Sequence, residues 1–422
     1  MDEVRGKFTG VRTPIESPFT PGSDVVPPVW AGRTTYLSDW RDIVRPRRLS
    51  GVYERGRTLL GEAGTGKSSL VRRIAADAED TGDWVTPQLR VPLDTDPLSL
   101  VASALLELAD RAGLPHARDK RIGDQLARVE QVAAGPVSMK LRESAVHEPY
   151  KVLSELLVEI AREAARLGDT MVVVHIDEVQ NITDEAALSQ LLVALGDALS
   201  YEDTVTAPGN VRFRRVLPLA VYLTGLGEFE EMTSRQRGAT FSRRFQTSIL
   251  TGLGDDDMTA ALQPFVTEGW ETTGPGGNIE RVSMTPEARD AIVNLSMGEP
   301  LLFQLAGERA WYAGVGDVIT ADEVHAGWDG AKSEARRHVE RILNRLPARE
   351  RTFLEAMASL APEERSLSRI TASMGYESGA GAGSAAQRLD STRGLIARGK
   401  NYTFRHRAVE AYLTSPWPDV GD

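Results

Sequence analysis

The chain has 422 residues, enough for two or three domains because single cores rarely grow past ~250 to 300 residues, and its formal net charge is −11. That balance excludes a global basic field, so any nucleic-acid-binding face has to be a local patch. The absence of cysteine excludes a disulfide framework, a thiolate zinc site and a cysteine nucleophile. The charged N-terminus and the lack of a long apolar run point to a soluble cytoplasmic protein without a membrane partner.

Residues 1–29, with Pro14, Pro18, Pro21, Pro27 and Pro28, read as an extended arm lying on the first domain or as a loose tail. Residues 30–253 read as one domain in which, from Thr58 on, short β-rich runs alternate with helical patterns, the rhythm of an α/β fold with a parallel sheet flanked by helices. Strands are expected at 57–60, 88–92, 171–177, 217–224 and 245–250, with helices at 98–112, 150–167 and 185–199. Segments 113–147 and 200–214 do not fit a minimal unit and are expected to be insertions or surface loops. Residues 254–346 read as a helical lid without strands. In it Arg337, Arg341 and Arg345 fall one turn apart, with Glu334 and Glu340 nearby, as on a solvated face. Residues 347–416 read as three helices, a two-stranded wing and a last helix, which suggests a winged helix-turn-helix; 417–422 form a tail.

The most specific text is Gly61-Glu62-Ala63-Gly64-Thr65-Gly66-Lys67-Ser68, followed by Ser69, directly after an apolar run and directly before a helical pattern. This is a phosphate loop in the order strand, loop, helix, and it implies ATP with Mg2+. Its glycines let backbone N–H groups turn inward around phosphate, Lys67 reaches the terminal phosphates, and the Ser68 hydroxyl binds magnesium. The apolar strand ending in Asp177-Glu178 supplies the second half of such a site. Asp177 would hold the metal, and Glu178 would orient and polarise a water. His175, inside that strand, reads as a packed or hydrogen-bonded core histidine. Thr224, at the tip of the next apolar strand, is a candidate water-positioning or phosphate-sensing group. Arg243 and Arg244 are candidates for delivery into a neighbouring subunit's site, where a guanidinium stabilises charge on the transferring phosphoryl group; structural pairing of one of them is the alternative.

These features, with Trp30-Ala31-Gly32-Arg33 and Leu37, Ile176-Asp177-Glu178-Val179-Gln180, Thr224-Gly225, Ser242-Arg243-Arg244-Phe245 and Gly298-Glu299-Pro300, resemble AAA+ ATPases. The likeness is strongest to bacterial ATPases related to origin-recognition and replication-initiator proteins, which end in a winged helix. The resemblance implies an adenine pocket lined by Trp30, Gly32 and Arg33, a first sensor at Thr224, and an arginine finger at Arg244 with Arg243 as substitute. The initiators' lid motif Gly-Asp-x-Arg is replaced here by Gly298-Glu299-Pro300-Leu301, so a lid arginine on the terminal phosphate is missing. The Gly-x-Pro form resembles signal-transducing ATPases of the same superfamily, which implies that Pro300 touches nucleotide and that hydrolysis is slow.

Between 381 and 413, Arg388, Arg393, Arg398, Lys400, Arg405 and Arg407 outnumber Asp390 and Glu410. They fall on the would-be recognition helix and the wing, where phosphate contacts position a helix in a groove. Gln387 and Arg388 are the candidate base readers; Arg393, Arg398, Lys400 and Arg405 are the candidate backbone contacts. The expectation is an oligomerising, nucleotide-switched ATPase that binds double-stranded DNA. Winged helices also dock proteins, so a signalling or scaffolding ATPase that holds a protein partner without DNA is the alternative. A small-molecule phosphotransferase is disfavoured, because nothing suggests an acceptor pocket.

Overall fold

Met171 to Val174 and Ile176 carry no accessible surface, as expected of a strand covered on both faces, where apolar residues run without alternation. The structure, a computed structural model, describes residues 11–22, 25–114, 149–207, 210–235, 243–273, 277–376 and 380–419. All but the first two residues of the expected insertion at 113–147 lie outside that set, as do Ser242 and the last three residues of the tail. The chain divides into two compact units. One combines Thr34–Leu60 with Leu70–Ile249; the other combines Met1–Arg33, Gly61–Ser69 and Leu250–Asp422.

The first of these units is built on a six-stranded sheet. Its strands are β1 (Gly56–Leu60), β2 (Trp84–Val85), β3 (Leu89–Arg90), β4 (Val172–Asp177), β7 (Leu219–Gly225) and β8 (Phe245–Ile249). The order is β2-β4-β7-β1-β8, with β3 also on β4, and the pairings are parallel. The central strands β4, β7 and β1 are buried along their whole length. The helices Pro97–Arg111, Pro149–Leu167 and Glu185–Ser200 cover the sheet with apolar stripes such as Leu153, Leu156, Leu157, Ile160 and Ala164. Asp96 and Asp184 cap two of them by accepting N–H bonds from their first turns. The 200–214 segment, expected as an insertion or surface loop, contains an antiparallel pair of β5 (Glu202–Ala207) and β6 (Val211–Val216). Arg162 ties it down through Asp203 at 2.8 Å.

In the other unit the helices of 255–346 are joined by a small sheet that the sequence reading lacked. It consists of β9 (Trp270–Thr273), β10 (Ile279–Met284) and β11 (Val318–Ile319), in the order β11-β10-β9. The N-terminal arm packs into this helical body. Phe19 stacks on Phe265 at 5.7 Å and meets Phe303 edge-on at 6.4 Å, Arg12 pairs with Glu323 at 2.6 Å, and Trp311 donates to the Thr13 carbonyl at 2.8 Å. Gly307 makes room for Phe19, since an added Cβ would lie 2.3 Å from its ring. Phe19→Ala should therefore lower the unfolding free energy of this unit by about 3–5 kcal/mol, measured by denaturant titration. A loss below about 1 kcal/mol would mean that the arm is not part of the core.

The C-terminal segment forms helices Ala348–Ala358, Leu367–Ser373 and Ala380–Ser391. Next come an antiparallel pair, β12 (Ile396–Ala397) with β13 (Thr403–Phe404), and the helix Arg407–Thr414. Among the described residues no helix is long and apolar enough to cross a membrane.

Candidate nucleotide site

The phosphate loop begins at the residue after β1 and ends where the helix Lys67–Asp80 starts. Gly64 and Gly66 have φ of 87° and 80°, a left-handed conformation that costs glycine almost nothing and turns successive N–H groups to one side. The helix N-terminus adds its own N–H groups and positive potential. Lys67 Nζ donates to the Gly61 and Glu62 carbonyls at 2.9 and 2.8 Å, which keeps the ammonium on the loop. Thr65 Oγ1 donates to the Glu62 carbonyl at 2.8 Å.

Three elements brace this loop inside the same unit. Arg33 donates to the carbonyls of Thr65 and Thr251 at 2.9 and 2.7 Å. It follows Gly32 in the left-handed region, with φ of 64° and 63°, and Trp30 Nε1 donates to the Gly32 carbonyl at 2.9 Å. Pro300, first residue of the helix Pro300–Ala313, lies beside Gly66, at ordinary contact distance, 3.7 Å, from where a Cβ there would stand. Arg345 pairs with the buried Glu62 carboxylate at 2.6 Å. Arg337, Arg341 and Arg345 are all exposed, as on a solvated face, but Arg345 in addition reaches the loop. The residue after Pro300 is not an arginine, yet a lid-region arginine does meet the loop from further along the chain. Nothing in an arginine stripe at helical spacing marks which member has a partner.

In the sheet unit, Asp177 and Thr224 end neighbouring strands. The Asp177 carboxylate is 1% exposed. It accepts hydrogen bonds from Thr224 Oγ1 at 2.5 Å, the Glu178 N–H at 2.9 Å and Gln88 Nε2 at 2.6 Å. Because the Thr224 hydroxyl donates to the carboxylate, His175 Nε2, 3.0 Å away, carries the proton and donates to Thr224. His175 is thus the hydrogen-bonded core histidine expected. Glu178 sits at φ 59°, ψ 39°, an uncommon place for a residue with a long side chain and one found at functional turns. Its carboxylate accepts a hydrogen bond from Gln180 Nε2, while Gln180 Oε1 accepts the Leu226 N–H at 3.0 Å. Gln88 and Gln180 were missed as site residues. Glutamines carry no charge signal, and only the neighbouring Asp177-Glu178 pair could have drawn attention to them.

The oxygen donors of Ser68 and Asp177 suit a hard cation such as Mg2+. Among the described residues no cluster of three His, Asp or Glu side chains could hold a metal unaided. Ser68 and Asp177 are each an oxygen donor of the kind that would serve Mg2+ at a bound nucleotide, where the ion neutralises phosphate charge. Ser68 and Ser69 follow Lys67 in the first turn of its helix.

Arg244 lies over Gly196 and pairs with Asp197 at 2.6 Å, the structural pairing held open above, while Arg243 is exposed. In the C-terminal segment Arg393 has to be withdrawn from the candidate DNA surface. It is 5% exposed and pairs with the buried Glu350 at 3.2 Å, which balances a guanidinium that burial would otherwise leave uncompensated. Glu350 also holds Arg388 at 3.0 Å, and Asp390 holds both Arg398 and Arg405 at 2.9 Å. Gln387 and Lys400 are exposed.

Residues 29–205 match the model of the AAA ATPase domain family. No curated protein sequence matches the chain. Among solved structures, a Walker-type ATPase of Pyrococcus abyssi is similar with a TM-score of 0.52 and 14% identity, covering 94% of this chain and 98% of that one. The ORC2 protein of Aeropyrum pernix, in ADPNP–ADP complexes, is similar with a TM-score of 0.53 and 14% identity, covering 93% and 94%. At such identities the likeness is one of fold, that of a P-loop ATPase.

Proposed function

Because residues 29–205 carry an AAA ATPase domain, we propose that this protein binds and hydrolyses ATP, with Mg2+, as a switch whose C-terminal winged helix binds double-stranded DNA in the nucleotide-bound state. The observation that carries the reading is the phosphate loop, with left-handed Gly64 and Gly66 and with Lys67 held on the loop carbonyls. In the sheet unit, Asp177 would serve the metal and Glu178 the attacking water. Trp30, Gly32 and Arg33 would receive the base, Gly61 to Ser69 the phosphates, and Pro300 would border them. Thr224 would act by fixing the Asp177 carboxylate, to which it is already bonded. Copies would assemble so that an arginine completes the neighbour's site; Arg243, exposed and next to the Asp197-bound Arg244, is the better placed of the two. Domain limits of 30–253, 254–346 and 347–416 belong to the same reading.

DNA would be met by Gln387, Arg398, Lys400 and Arg405, with Arg388 at the margin. A protein partner is the second reading, favoured by Asp390 and Glu350, which neutralise four of the arginines counted toward a basic face. Fluorescence anisotropy of labelled duplex with ATP, ADP or no nucleotide, at two salt concentrations, separates them. Salt-sensitive, ATP-requiring binding is expected, because phosphate contacts release counterions. The Arg398→Glu/Lys400→Glu variant should abolish it. No binding in any state moves the function to protein docking.

A further inference from the structure

A carboxylate without a hydrogen bond lies buried in the loop-bearing unit. Glu299 is 0% exposed, yet both of its oxygens lack a hydrogen-bond partner, as do His338 Nε2 and His406 Nε2. Those nitrogens face it: His406 Nε2 is 3.3 Å from Oε1 and His338 Nε2 is 3.7 Å from Oε2. A buried charge costs several kcal/mol unless it is paired, so this arrangement gains when either imidazole closes on the carboxylate. Arg33 adds positive potential on Glu299; Arg407, against Gly298, is paired with Asp255.

Each histidine is fixed at its other side. His338 rests on the phosphate loop, with its Cε1 only 2.5 Å from where a Gly64 Cβ would stand, so a shift of the loop toward the ring would displace it. His406 caps the last helix, its Nδ1 accepting the Val409 N–H at 3.4 Å. That bond leaves the ring proton on Nε2, facing Glu299. Burial holds the His406 pKa below its ordinary value, which keeps the ring in this neutral form. Glu62, Thr65, Arg393, Arg405 and His406 share one small cleft, so His406 lies close to the loop as well as to the C-terminal helix.

We propose that His338, Glu299 and His406 form a buried relay that transmits the position of the phosphate loop at Gly64 to the cap of the C-terminal helix Arg407–Thr414. When nucleotide moves the loop, His338 approaches or leaves Glu299, the carboxylate changes its hold on His406, and the cap tightens or loosens. The inference rests on nucleotide binding at the loop, and its test separates the two ideas by reading them in different channels.

Hydrogen exchange over 403–414 of the full chain is followed by mass spectrometry with and without ADP or ATP and Mg2+, while the affinity for a fluorescent ADP is measured in parallel. In the wild type nucleotide is expected to change exchange in this helix by about fivefold or more, the size of an ordinary coupling between sites. Glu299→Gln and His406→Gln should bind nucleotide within about threefold of wild type yet lose that change, since the coupling and not the site is removed. His406→Gln, on the cap side, keeps the test decisive should Glu299→Gln melt early. Normal nucleotide binding with unchanged exchange in the wild type, or a full response in both variants, overturns the relay. Failure of the wild type to bind nucleotide overturns the nucleotide site and the relay with it.

Discussion

Lys67→Ala should weaken ATP binding by about 100-fold or more and abolish hydrolysis, because in the proposed function it removes the charge-assisted donor to the terminal phosphates. The folded loop should survive the change. Lys67 bonds the Gly61 and Glu62 carbonyls, but the loop is also braced by Thr65 within it, by Arg33 at Thr65 and by Arg345 at Glu62. A melting temperature near that of the wild type, combined with lost binding of a fluorescent nucleotide, is therefore the expected pair of results. Undiminished affinity would show that phosphate is held elsewhere, and the assignment of Gly61 to Ser69 would fall with it.

The parts of this molecule legible from its sequence are those where one physical requirement dominates. A phosphate loop needs glycines at left-handed positions and a lysine at the mouth of a helix, and Gly64, Gly66 and Lys67 meet that need within a few consecutive residues. A strand covered on both faces must be apolar throughout, and 171–176 is, apart from His175. The strand β2 escaped because two residues, Trp84 and Val85, hold no period. The β5–β6 hairpin escaped because its text is mostly polar and exposed, and Thr204, Val205 and Thr206 favour strands only weakly against the turn signal of Pro208-Gly209-Asn210. In β10 alternate burial is confined to Val282 and Met284, too short a pattern to outvote the helices around it. Contacts between distant positions are a different case. Arg345 with Glu62, or Glu299 between two histidines, depend on how helices pack, and composition gives no hint of them. The arginines of 388–405 are a related case: charge counted along 381–413 leaves out Glu350, which pairs with Arg388 and Arg393, and does not show that Asp390 pairs with both Arg398 and Arg405.

Glu178→Gln should leave nucleotide affinity within about threefold of the wild type and lower hydrolysis by about 100-fold to 1000-fold, the usual contribution of a positioned general base. Asp177, the neighbouring carboxylate, should give a different pattern. It is buried and already accepts hydrogen bonds from Thr224, Gln88 and the Glu178 N–H, so its replacement by Asn disturbs metal and nucleotide binding along with turnover. Glu178 instead stands at a left-handed turn beyond the strand end, half-buried and held by Gln180. Its backbone conformation is one that side-chain-bearing residues rarely adopt, and the turn is kept by β4 before it and by the Gln180 bond to the Leu226 N–H after it. The amide keeps that geometry and removes only the proton acceptor. Single-turnover hydrolysis measured beside nucleotide affinity distinguishes the outcomes: a loss of turnover alone assigns the base to Glu178, equal losses in both mean that it serves binding, and unchanged turnover places the base on another residue.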